Sequence, residues 1–149
     1  MKNLFVTISA VMASEVCSAQ TTMLISEAEV AESQAAAPAM FSPKAVPEKD
    51  APRMEIVTPM VSARLKSPIQ VQAGFVTTPP ATIRTESFKV LYGAFQIDIT
   101  QRLLAVAKIT PLGINVQEAK LPSGHHKLQL LLEDSMGRQG RQTIEFEVD

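Results

Sequence analysis

Two runs of strict period two, separated by a short turn, close this chain and limit its fold more than any other feature. Leu128, Leu130 and Leu132 share one face of the first run, with Lys127, Gln129 and Leu131 on the other. Ile144, Phe146 and Val148 alternate with Thr143, Glu145 and Glu147 in the second, and Asp134-Ser135-Met136-Gly137 lies between. Successive side chains on a strand point to opposite faces. Each run therefore reads as a strand with one buried and one wet face, and the pair as an antiparallel hairpin. A helix would send residues two apart to opposite sides of its cylinder and scatter the apolar set. One hairpin buries too little to be stable alone, so the rest of the chain must supply a second layer.

Further short runs upstream fit that need. Ile56-Val57 reads as a first strand ending at Pro59. Ile69, Val71, Ala73 and Phe75 alternate with Gln70, Gln72 and Gly74, and Thr77-Thr78-Pro79-Pro80 stops the run because proline cannot donate to a ladder. Phe88, Val90 and Tyr92 give the next strand, closed by Gly93. Phe95, Ile97 and Ile99 alternate as another, after which Asp98 can cap one or two helical turns carrying Leu103, Val106 and Ala107. Pro111-Leu112-Gly113 turns into a brief strand at 114–116, and Leu121-Pro122-Ser123-Gly124 turns into the closing hairpin. About seven short strands in residues 53–149 predict an antiparallel β-sandwich with one short helix. All six glycines fall between Gly74 and Gly140, which places the turn chemistry in that segment.

The stretch from Leu121 to Arg138, followed by Thr143-Ile144-Glu145-Phe146-Glu147-Val148, resembles the closing hairpin of bacterial immunoglobulin-like (Big-type) domains. In those a leucine-proline-x-glycine turn leads into a strand, an aspartate-x-x-glycine turn and a last strand ending in valine. Ser67-Pro68-Ile69 and Ser87-Phe88-Lys89-Val90 fit earlier strands of that family. The resemblance implies an all-β sandwich acting as a spacer, adhesin or accessory binding module on an exported protein. It implies fold far more than function.

The N-terminal third reads differently. In residues 1–19 Lys2 precedes a largely apolar stretch of about ten residues from Leu4 to Ala13, too short a run to span a bilayer but suited to a signal-peptide core. Cys17 and Ala19 are the small residues of a cut before Gln20, so a periplasmic or secreted product is expected, with its single cysteine removed. Residues 20–52 lack glycine, carry Pro38, Pro43, Pro47 and Pro52, and hold five acidic against two basic residues. Recurrent proline favours extended backbone, and the expectation is a flexible acidic Ala/Pro-rich linker. Ser26 and Glu29 form an S-x-x-E capping box, so residues 27–36 are expected as a transient helix. A partner-docking helix built on Met23, Leu24, Ile25 and Val30 is the alternative.

Chemistry is sparse. Net charge is −1, which gives no attraction to nucleic acid, and after signal cleavage no integral membrane segment is expected. No G-x-S-x-G elbow and no phosphate-binding glycine pattern occurs, so an enzyme is not expected, nor a cofactor. His125-His126 is the only histidine pair, but neighbours on a strand diverge. With Glu133 and Asp134 these histidines make an alternative metal site, for copper or calcium. Periplasmic copper-binding sandwiches place histidines just after the aspartate-glycine turn and at the mature N-terminus, where this chain has Arg138 and Gln20. Two surfaces suit a partner: a mobile basic tip of Arg138 and Arg141, and an apolar edge around Phe95 and Ile97 open to strand addition. The leading expectation is a non-catalytic exported module that binds another envelope protein or a polymer.

Overall fold

The computed structural model describes residues 23–36, 49–58 and 64–149. The expected signal segment and its cleavage point, and residues 37–48 of the expected linker, lie outside these. In chain order the elements are α1 (Glu27–Ala35), β1 (Arg53–Thr58), β2 (Arg64–Leu65), β3 (Ile69–Val76), β4 (Ile83–Tyr92) and β5 (Ile97–Asp98). Then come α2 (Thr100–Leu104), β6 (Ala107–Thr110), β7 (Gly113–Ala119), β8 (Gly124–Asp134) and β9 (Gln139–Val148). The strands form two sheets in the orders β1-β3-β7-β6 and β2-β9-β8-β4-β5. All pairings are antiparallel except the two-residue β2, which runs parallel to β9.

The closing hairpin has the expected register. Leu128 pairs with Ile144, Leu132 with Gly140 and His126 with Phe146, so the even-numbered residues face inward. Gly140 sits so close to the Pro52 carbonyl that any side chain there would collide with it. Ile69, Val71, Ala73 and Phe75 of β3 and Phe88, Val90 and Tyr92 of β4 are likewise buried, each set on one face of its strand. Ile114 and Val116 of β7 complete the middle of the opposite layer. The Phe75 and Phe88 rings, one from each sheet, lie 5.7 Å apart and tie the layers together. The result is an antiparallel immunoglobulin-like β-sandwich.

Two details differ from the sequence expectation. The run 95–99 is a strand only at Ile97–Asp98. Beyond it Asp98 Oδ1 accepts from Thr100 N at 2.9 Å, turning the chain into the five-residue α2. Thr100 Oγ1 then accepts the Val90 amide at 2.9 Å, standing in for the strand neighbour that β4 lacks there. The larger difference concerns residues 23–36. Expected as part of a flexible linker, they fold back onto the sandwich, with Leu24 (3%), Ile25 (0%) and Val30 (5%) buried in its core. The partner that a docking helix requires is, for these three side chains, the chain's own sandwich. Met23 stays exposed.

Candidate functional site

One end of the sandwich is closed by the returning N-terminal segment. Leu24 N donates to the Lys120 carbonyl at 3.3 Å, fixing the entry. The capping box is complete: Ser26 Oγ accepts from Glu29 N and Ser26 N donates to Glu29 Oε2. Ile25 and Val30 occupy the N′ and N4 positions of a hydrophobic staple, and both are buried. Glu29 also accepts Arg102 Nη1 of α2, at 2.8 and 2.9 Å to its two oxygens. Burial opposes ionisation of Glu29, but the Ser26 amide and the Arg102 guanidinium outweigh it and hold the carboxyl below its ordinary range.

The helix then runs past the β4–β5 turn. Ser33 Oγ accepts the Ala94 amide at 3.3 Å. Gly93 has φ +67°, and a side chain on it would strike Ser33, so glycine here is what allows the helix to come this close. Between the last turn of α1, the β4–β5 turn and the outer face of β8 and β9 lies a groove of about 410 Å³. That is within the range of small-ligand sites, about 300–1,000 Å³. Its floor is the outward face of the sheet, with His125, Lys127 and Gln129 of β8 and Glu145 of β9. Lys127 Nζ and Glu145 Oε1 are 2.9 Å apart. Gln34 forms part of the helix wall and Gln96 part of the turn wall. Gln96 has φ +52°, a left-handed conformation that costs a non-glycine residue about 1–2 kcal/mol. Phe95, flanked by two lining residues, is 64% exposed.

Beneath this floor is a buried polar cluster. His126 is fully buried, its Nε2 lies 2.9 Å from the Pro122 carbonyl and its Nδ1 lies 3.1 Å from the Tyr92 hydroxyl. A carbonyl only accepts, so Nε2 carries the ring proton and the Tyr92 hydroxyl donates to Nδ1. Phe146 stacks on the imidazole with 5.6 Å between ring centroids. Burial pushes the imidazole pKa down, while the Pro122 carbonyl opposes that shift and His125 adds to it. Burial, and then the Glu29 charge, push the Tyr92 hydroxyl up to about 12. Both nitrogens and the hydroxyl are engaged, so the pair is structural and offers no free base.

The remaining candidates are dispersed. His125 stands on the outer face and His126 on the inner one, so the two rings diverge as expected. Asp134 is fully buried and accepts Met136 N, Arg138 N and Arg138 Nε at 2.9, 3.0 and 2.7 Å. Burial works against its ionisation, yet the Arg138 backbone and side chain prevail and the pKa is lowered. Glu133 faces the other way, toward Arg84 at 3.9 Å. The four residues of the metal reading are therefore not gathered, and no group of three or more His, Cys, Asp or Glu converges among the described residues. The basic tip also needs correction. Arg138 is held by Asp134 and its side chain is only 19% exposed, whereas Arg141 is exposed and lies opposite Leu131 on the outer face. Ile97 is half-buried on the edge strand β5, beside the exposed Phe95. Sequence reasoning found His125 and Phe95 but missed Gln34, Gln96 and Gln129. Lone glutamines carry no spacing signal, and only the docked helix makes them neighbours.

This architecture defines the class: a two-sheet immunoglobulin-like sandwich with a helical N-terminal strap. No family model matches the chain, and no curated protein matches it in sequence. Solved structures to which the chain is similar at low identity include the following three. The endo-β-1,4-mannanase from Thermotoga petrophila is 14% identical with a TM-score of 0.48, over 66% of this chain and 20% of that one. CopC from Methylosinus trichosporium OB3b is 15% identical with a TM-score of 0.44, over 64% of this chain and 93% of that one. The fibronectin(III)-like modules of Clostridium thermocellum CbhA are 13% identical with a TM-score of 0.40, over 64% of this chain and 45% of that one. The chain thus spans about a fifth of the mannanase it is similar to. Among the described residues no helix is long and apolar enough to cross a membrane.

Proposed function

We propose that this chain is an exported, non-catalytic interaction module that binds another envelope protein or a polymer, in the periplasm or outside the cell. The observation that carries the reading is the groove between α1 and the outer face of β8 and β9. It is of ligand size and lined largely by polar and charged side chains that can offer hydrogen bonds to a ligand. Its one imidazole, His125, stands exposed on the outer face of β8. The N-terminal apolar stretch and its small residues before Gln20 support export. Phe95 and the edge strand β5 add a rim on which a partner can extend its contact.

Co-sedimentation with washed cell envelopes tests this. The full chain is expected in the pellet, and a Gln129→Trp variant, which fills the groove floor from an outward-facing position, in the supernatant. Equal pelleting of the two would remove the groove as the contact surface. A wild-type chain that stays entirely in the supernatant would remove the module reading itself.

A further inference from the structure

We infer that the groove takes a neutral, polyhydroxylated ligand, a segment of an uncharged glycan chain, read by the amides of Gln34, Gln96 and Gln129. This rests on the groove being the contact surface proposed above. Each glutamine side chain offers two donors and an acceptor, and none of the three makes a side-chain hydrogen bond to another described residue. A ligand rich in vicinal hydroxyls, each both donor and acceptor, matches such a set. A charged ligand does not, because the one cation on the floor, Lys127, is already paired with Glu145 at 2.9 Å, which leaves no net charge to attract an anion. A peptide is also a poorer fit. Peptide recognition relies on an open strand edge or on apolar pockets for alternate side chains, whereas this floor is the polar outer face of β8 and β9, with the backbone groups of β8 paired to strands on both sides.

Two further observations favour a built site. Gln96 is held at φ +52°, a conformation that glycine adopts without strain and glutamine does not. Phe95, next in the chain, presents an exposed ring on the same turn, and an aromatic face suits the apolar face of a sugar ring.

Affinity electrophoresis of the full chain, in native gels containing dextran, galactomannan or hydroxyethyl cellulose, with polygalacturonate as the charged comparison, decides the matter. The expected result is retardation by at least one neutral polysaccharide and none by polygalacturonate. Gln96→Gly removes one amide and relieves the strained backbone, so it is expected to unfold no earlier than wild type yet to weaken retardation at least fivefold. Gln129→Leu, outward-facing on a central strand, is expected to do the same. Retardation unchanged in both variants, binding to polygalacturonate alone, or no retardation in any neutral gel would each overturn the inference. If envelope co-sedimentation persists in that last case, the ligand class is wrong and the module reading stands; if it is lost too, both fall.

Discussion

His126 has both ring nitrogens committed inside the sandwich, and its behaviour with pH follows from that. A histidine in the unfolded chain takes up a proton near pH 6.5, whereas the buried one does so only at lower pH. Between those values the unfolded state binds more protons, so its contribution to stability is complete above about pH 6.5 and is lost as pH falls below that. Tyr92 is the mirror case: its pKa is raised to about 12, so its contribution is complete below about pH 10 and is lost as pH rises toward 12. Urea denaturation at pH 7, 6 and 5 is expected to show the midpoint falling, and the fall is expected to shrink in His126→Gln. An identical pH slope in the variant would assign the effect to another group. At this scale the sequence was legible only in part. The divergence of His125 and His126 followed from strand alternation. The partners of His126 did not, because Tyr92 lies 34 residues away.

Among the elements, the closing hairpin was readable because alternation and turn chemistry agree over 20 residues or so of local sequence. The strap was not. Its capping box was visible at Ser26 and Glu29, but a short helix with one buried residue has little reason to persist in water by itself. What holds it is non-local: Leu24 and Ile25, just before the helix, enter the core. The N′–N4 staple of Ile25 and Val30 was the missed signal, since a staple with both members apolar implies a surface for them to enter. Ile25→Ala is therefore expected to destabilise the whole domain by about 2–5 kcal/mol, the usual cost of truncating a buried isoleucine. Met23→Ala is expected to be near neutral, because Met23 is 45% exposed. Thermal melts of the two variants check this; equal melting temperatures would mean that the strap does not contribute to the fold.

For the whole molecule, the sandwich was legible because strand spacing, turn residues and an apolar content of 46% all point the same way. The groove was not, since its walls come from α1, the β4–β5 turn and the β8–β9 face, which only the folded chain assembles. The metal alternative belongs to this scale as well, because a site needs ligands gathered from across the molecule. His125, His126, Glu133 and Asp134 alternate between the two faces of β8, so excess copper, calcium or zinc is expected to leave the melting temperature unchanged. A real site at a hundredfold excess over its Kd would add about 2.7 kcal/mol of stability, an effect too large to miss in a melting scan. The contact between Glu29 and Arg102 has one further consequence. Detaching α1 breaks that pair and withdraws Leu24, Ile25 and Val30 from the core, and a nine-residue helix left in water with only its cap is marginal, so detachment and melting are coupled. One wall of the groove therefore exists only while the strap is folded, and a ligand that bridges both walls is coupled to that folding. Occupancy of the groove and protease resistance of the strap must rise and fall together.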